Sequence, residues 1–321
     1  MMTKPRHRPP SRLTRALARL LAYCWRFQTL PLATWLFAEV TSPSVLYRRF
    51  LGLRLAVDVA RGNPQRLLYL QGQGYSPEQH LLLEQLAPGM TVVDVGANIG
   101  HYMLLFARAV GPSGQVVCFE PEPDNLVELA RNRELNNLTF VQIEAVALGS
   151  EDGTTGLTPG INGHVVEFQG HGLTVPLHRL DSLVSGHVDL LKIDVEGYEG
   201  HVLAGATGLL SRCHPALFLE LHPAEIAAPH TIDGVLRLLS SLGYSVSLYE
   251  PRPEDSFREK FVSRYIGPGY APVSDPAALL AQCTAGRRIV PFWAVCAPGT
   301  PSGSEVGEAR PSYSASTDTS S

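Results

Sequence analysis

Thr91-Val-Val-Asp-Val-Gly-Ala-Asn-Ile-Gly100 is the stretch that decides the fold. Its first half is a short, valine-rich apolar run, which reads as a buried strand. The run ends beside Asp94, turns through Gly96 and Gly100, and enters a helical pattern over residues 99–110. A strand that passes through glycines into a helix opens an α/β sheet, and ligands sit outside the carboxyl ends of such strands. Gly96 lets a ligand approach the backbone, and Gly100 lets the helix pack tightly. Further apolar runs at 115–119, 139–143, 190–193, 216–220, 244–249 and 289–295 read as strands. Helical patterns at 125–135, 199–210 and 232–242 follow several of them. Strands alternating with helices imply a mainly parallel, doubly wound sheet. Residues 151–180 are Gly- and Thr-rich without helical period and read as an excursion from it.

The glycines are spaced G-x-x-x-G, so the dinucleotide pattern G-x-G-x-x-G is not met. Asp94 at the strand end would repel a pyrophosphate and suits a cationic ligand. S-adenosylmethionine carries a sulfonium and an ammonium and no phosphate. Glu120, at the end of the second strand, is placed to accept from both ribose hydroxyls. Glu144, at the end of the third, is placed for an adenine amino group. A lone acid reads as a solvated loop residue. Three at successive strand ends, after a glycine-containing first turn, read as one cofactor set.

The motifs Asp94-Val-Gly-Ala-Asn-Ile-Gly100, Phe119-Glu-Pro121, Leu180-Asp181, Leu191-Lys-Ile-Asp-Val-Glu-Gly-Tyr-Glu199 and Leu219-Glu220 occur in that order. Together they resemble the FkbM-type methyltransferases over residues 70–250, and the Lys-Ile-Asp-Val-Glu-Gly-x-Glu block is the most specific part. The resemblance implies a Rossmann-like class I methyltransferase fold, with seven strands, mostly parallel, and the last antiparallel. It implies S-adenosylmethionine as donor and an O-methyl product on a sugar, glycolipid, polyketide or other secondary metabolite. It places Asp94, Gly96, Asn98 and Gly100 at the cofactor's methionine end and Glu120 at its ribose. The acceptor is not carried over.

Methyl transfer to an alcohol needs in-line positioning, exclusion of water and removal of a proton. Lys192, Asp194, Glu196, Glu199, Glu220 and His222 collect near the ends of the fourth and fifth strands. Asp194, at a strand tip, leads as the catalytic or acceptor-binding residue. His222 is the expected base if it is neutral near pH 7, with Glu220 beside it. Lys192 is counted with the catalytic set, although a lysine within a strand more often pairs with a carboxylate. Asp194, Glu220 and His222 have the chemistry of divalent-metal ligands, but their spacing is not diagnostic and no metal is expected. His164, His171, His178 and His187 show no metal-ligand spacing.

Charge divides the chain. Of 26 Lys/Arg and 30 Asp/Glu, ten basic residues and one acid fall in residues 1–57, leaving 16 and 29 beyond. The acidic body is a poor partner for nucleic acid. Leu13, Leu17, Leu20, Leu21 and Cys24 oppose Arg12, Arg15, Arg19 and Arg26 on a helical pattern. That pattern suits either packing on the core or peripheral contact with an anionic membrane. Five cysteines without a CxxC pair suit a reducing, cytoplasmic compartment. Three regions follow: a basic segment over 1–70, the catalytic domain over 71–296 and a disordered tail over 297–321. The rivals are a non-catalytic scaffold that binds the cofactor, a nucleic-acid methyltransferase and a nucleotide-dependent oxidoreductase.

Overall fold

The computed structural model describes residues 45–58, 61, 65, 68, 77–158, 165–166, 173–251, 270–286 and 291–298. The helical pattern at 13–26 and the tail beyond 298 lie outside the described residues. Among the described residues, no helix is long and apolar enough to cross a membrane.

The described chain opens with a hairpin that the sequence reading did not contain. Strands β1 (Val45–Phe50) and β2 (Leu53–Asp58) pair antiparallel across Leu51-Gly52, both at positive φ. A two-residue turn with that twist matches the twist of its strands. Helix α1 (Pro77–Leu83) leads to β3 (Thr91–Val95), α2 (His101–Val110), β4 (Gln115–Phe119), α3 (Pro123–Leu135) and β5 (Val141–Glu144). The segment read as an excursion makes a second sheet. Its strands β6 (Ala147–Leu148), β7 (Gly153–Leu157), β8 (Val165–Val166) and β9 (Leu173–His178) run in the order β6-β9-β7-β8.

After α4 (Leu180–Leu183) come β10 (Leu190–Ile193), α5 (Glu199–Ala204), α6 (Thr207–Cys213), β11 (Ala216–Leu221), α7 (Ile232–Ser241) and β12 (Tyr244–Pro251). The single helix expected over 199–210 is thus two, divided at Gly205. The described chain closes with β13 (Tyr270–Pro272), α8 (Pro276–Thr284) and β14 (Phe292–Pro298).

The central sheet has the order β13-β12-β14-β11-β10-β3-β4-β5. Strands β5, β4, β3, β10 and β11 pair in parallel, and β14 runs antiparallel between β11 and β12. These are the seven expected strands with the last reversed, and the fold is Rossmann-like α/β. The three-residue β13 adds an eighth at the edge. Side chains alternate across the sheet. Val92 enters a core with Leu55, Met103, Leu104 and Phe106, while Val93 and Val95 enter another with Leu191, Leu203 and Leu219. The strand order reverses at β3, which pairs with β4 on one side and β10 on the other. A crevice forms at the carboxyl ends beside such a reversal, here next to Gly96 and Asp194.

The free edge of β2 lies along α3 and is bonded by its side chains. Asn136 Oδ1 accepts from Arg54 N at 2.7 Å, and Asn132 Oδ1 accepts from Ala56 N at 2.7 Å. Glu128 Oε2 accepts from Asp58 N at 3.1 Å. Asn136 and Asn132 also donate to the carbonyls of Arg54 and Ala56. Two strand residues advance about 6.6 Å and four helical residues about 6 Å. Side chains four apart therefore stay in step with backbone groups two apart. Asn132 is fully buried, and its amide also donates to Ile99 O at 2.8 Å, linking the hairpin to the glycine loop.

Candidate active site

The glycine loop is shaped by one close approach. Gly96 has φ +76°, and a Cβ there would stand 1.9 Å from the Asp194 carbonyl oxygen. Only glycine lets the tips of β3 and β10 come this near. Gly100 instead serves packing at the start of α2, where a Cβ would meet Leu129 and Met103. Asn98 N donates to Glu120 Oε2 at 2.8 Å. Glu120 Oε1 accepts from Glu122 N at 2.9 Å and from Asn125 Nδ2 at 3.2 Å. Glu120 is 5% exposed. Burial pushes its carboxyl up, and these three donors oppose the shift.

Two cavities meet at Gly96, Asn98 and Asp194. The first, about 640 Å³ with its open mouth, runs past Phe119, Glu120 and Asn125 to Ala147 and Leu148, and reaches Glu196 and Tyr198. The second, about 570 Å³ with its mouth, is walled by Gln65, Leu68, His101, Tyr102 and Lys192. Burial and the nearby Lys192 and Arg48 push the His101 imidazole down to about 3, so it is neutral.

Three expected cofactor contacts are placed differently. Asp94 is fully buried and lines neither cavity. Its Oδ1 accepts from Lys192 Nζ at 3.1 Å, because the two residues face each other on β3 and β10 and their side chains leave the same face of the sheet. Glu144 is exposed and outside the cavity lining, where Val146, Ala147 and Leu148 stand instead. Gly100 lines neither cavity, although its neighbours Ile99 and His101 line the second. Gly96, Asn98 and Glu120 do line the first.

The catalytic set also divides. Lys192 is 1% exposed, and its ammonium serves Asp94, Gly96 O at 3.3 Å and Asp194 Oδ2 at 3.6 Å. Burial opposes its charge, but Asp94 and Asp194 hold its pKa above the ordinary value. With Asp94 and Gly96 O as hydrogen-bond partners it ties β10 to the glycine loop, and it also borders the second cavity. Asp194 and Glu196 line the first cavity. Asp194, Glu220 and His222 hold their oxygen and nitrogen atoms within 4.8 Å of one another, which is also a donor set suited to a divalent cation.

His222 corrects an expectation. Its Nδ1 lies 2.7 Å from Glu199 Oε1, and its Nε2 lies 3.4 Å from Glu196 Oε2. Burial lowers its pKa, but the Glu199 hydrogen bond and the charges of Glu199, Asp194 and Glu220 outweigh that and bring it to about 9. At neutral pH it is an imidazolium between two carboxylates, not a free base. The glutamates that hold it were counted near the site but not seen as its partners. Burial, then repulsion from Asp194, push Glu220 well above the usual carboxylate range.

The family model described as "Methyltransferase FkbM domain" matches residues 94–246. The hexuronic acid methyltransferase AglP of Haloferax volcanii is 30% identical over 185 residues, covering 55% of this chain and 72% of that protein. The chain belongs to the FkbM methyltransferase family. The 31-O-demethyl-FK506 methyltransferase FkbM of Streptomyces tacrolimicus is 27% identical over 205 residues, covering 50% of this chain and 75% of that protein. Methyltransferase 1 of Beauveria bassiana is 31% identical over 143 residues, covering 36% of this chain; the chain spans 57% of that relative's length.

The FkbM match contains Glu120, Asp194, Glu220 and His222, and it leaves out Arg61, Gln65 and the hairpin. Nothing in the sequence around Gln65 marks it as a wall residue of the second cavity.

The state of His222 in this FkbM domain has a pH signature. A histidine raised from 6.5 to about 9 binds more protons folded than unfolded between those values. Its contribution to stability is full below about 6.5 and is lost as pH rises through about 9. Proton NMR is expected to give a midpoint near 9 for His222, and Glu199→Gln is expected to lower it. A midpoint at or below the ordinary value would show the imidazole to be a free base after all.

Proposed function

We propose that the protein is an S-adenosylmethionine-dependent O-methyltransferase acting on a hydroxyl of a small molecule or glycan. The observation that carries this reading is Glu120, a buried carboxylate held by three donors at the wall of the first cavity. Such a group retains acceptor capacity for vicinal hydroxyls of a ribose. Phe119, Ala147 and Leu148 offer an apolar slot beside it for a purine. Asp194 favours a cation where the two cavities join, Glu196 adds negative charge in the first, and both disfavour a pyrophosphate. The second cavity opens at the start of α2, whose first N–H groups suit a carboxylate. Bound across both, S-adenosylmethionine would supply an already activated methyl group.

The chain's own residues then have three tasks. They hold the acceptor oxygen in line, exclude water and take one proton. His222, as a cation, cannot take it at neutral pH. Asp194 and Glu220 remain: Asp194 lines both cavities, and Glu220, which lines neither, holds a carboxylate oxygen within 4.8 Å of it. We assign the proton to Glu220 and acceptor positioning to Asp194.

Calorimetry with S-adenosylhomocysteine and NAD tests the reading. S-adenosylhomocysteine is expected to bind and NAD is not. Glu120→Ala is expected to weaken binding by about 1–3 kcal/mol, the scale of lost hydrogen bonds to a charge. NAD binding would favour an oxidoreductase. Cofactor binding with no methylated product, by mass spectrometry of sugars and metabolite extracts, would favour a non-catalytic scaffold.

A further inference from the structure

The side-chain ladder that ties β2 to α3 does not stop at Asp58. Three residues on, Arg61 reaches the start of the same helix. Its Nη1 donates to Asn125 Oδ1 at 2.9 Å and to Glu128 Oε1 at 2.9 Å, and its Nη2 donates to Glu122 Oε2 at 3.3 Å. Glu122 caps α3 by accepting from Asn125 N at 2.7 Å. One guanidinium therefore grips the cap, the first turn and the second turn of the helix. Its side chain is 16% exposed and faces two carboxylates that are 6% and 4% exposed.

The contact with Asn125 has a consequence for the cavity. An amide has one accepting and one donating end. Because Arg61 donates to Asn125 Oδ1, the Nδ2 end must point the other way, and there it donates to Glu120 Oε1 at 3.2 Å. Turning the amide over would set two donors against each other at Arg61 and two acceptors at Glu120. Arg61 also neutralises Glu122, whose backbone N–H is the other donor to Glu120 Oε1 and whose charge otherwise repels it. Both influences favour the ionised form of Glu120 against its burial and hold it in one orientation, with its remaining lone pairs toward the cavity.

We propose that Arg61, which lies outside the FkbM match, is a positioning residue for cofactor ribose binding, acting through Asn125 and Glu120. The proposal rests on the reading of Glu120 as the ribose carboxylate. It makes Arg61, three residues past the hairpin, a working part of the cofactor site. The ladder of Asn136, Asn132 and Glu128 is then the anchor that brings Arg61 to its place.

The test is calorimetry on the full chain with two ligands, S-adenosylhomocysteine and its 2′,3′-dideoxy analogue. Arg61→Met is expected to weaken S-adenosylhomocysteine about tenfold, the scale of a weakened hydrogen bond to a charged group. The analogue has no hydroxyls for Glu120 to hold, so its affinity is expected to stay within about twofold, since the contact that Arg61 supports is already absent. Arg61→Lys keeps the charge opposite Glu128 but lacks the planar fork that serves three acceptors at once. It is expected to show the same ribose-selective loss to a smaller degree, and it decides the matter if Arg61→Met does not fold. Equal losses for both ligands, or unchanged affinity for S-adenosylhomocysteine, would overturn the role of Arg61. A wild-type protein that binds neither ligand would overturn the cofactor reading itself, and this role with it.

Discussion

Lys192→Met is expected to cost the folded protein about 3–5 kcal/mol, the usual penalty for removing one partner of a buried ion pair. Lys192 and Asp94 are 1% and 0% exposed and 3.1 Å apart, so removing the ammonium leaves a buried carboxylate without its charged partner. Asp94 Oδ2 already has no hydrogen-bond partner, and the substitution would orphan Oδ1 as well. Gly96 O would lose a donor at the bend of the glycine loop. A domain with about 5–15 kcal/mol of net stability would lose a large part of it. The double variant Asp94→Leu/Lys192→Met is expected to recover at least half of the loss, because an apolar pair of similar volume removes the uncompensated charge. Urea unfolding of the two single variants and the double checks this. Strict additivity would mean that the pair contributes no mutual stabilisation.

That pair also shows where the sequence was legible and where it was not. The strands at 91–95, 115–119 and 190–193 could be read to the residue, because each is a short, mainly apolar run bounded by glycine or charge. Period and punctuation are local signals. Which way a strand-end acid faces is not local. Asp94 reads as a cofactor carboxylate only until β10 is laid beside β3, when Lys192 falls directly opposite it. Glu120 lines the first cavity because the donors that orient it come from the adjoining loop and helix start. The protonation of His222 depends first on Glu199, brought round by the turn between β10 and α5, and then on Asp194 and Glu220, so its type alone did not fix its charge. The hairpin was missed for a related reason. Its second strand is completed by side chains of α3, and a ladder of Asn136, Asn132 and Glu128 looks in sequence like an ordinary polar helix face.

Asp194→Asn is expected to lower turnover by about 10²-fold or more, within the range of general acid–base and positioning contributions. Asparagine keeps the shape, so the loss would report the charge and the second acceptor oxygen. The residue sits where both cavities meet, and its backbone carbonyl forms the floor under Gly96. Its carboxylate is 24% exposed, which leaves it open to a ligand while Lys192 holds it from behind at 3.6 Å. The charge lies beside the place proposed for a sulfonium. The variant is therefore expected to lose more affinity for S-adenosylmethionine, which is cationic there, than for S-adenosylhomocysteine, which is not. A purely structural role would weaken both alike. Glu220 should then still accept a proton, so the pH profile of the residual activity is expected to keep its acidic limb. Full turnover in Asp194→Asn would move the acceptor site away from the tip of β10. Loss of wild-type activity on chelation, restored by Mg²⁺, would recast Asp194, Glu220 and His222 as ligands of a metal that orients the acceptor hydroxyl. The two outcomes differ in what they ask of His222. As a ligand it must give up the proton that Glu199 and Glu196 now stabilise, and metal affinity would rise steeply with pH; as an imidazolium it keeps that proton, and activity would depend on pH through the carboxylates alone.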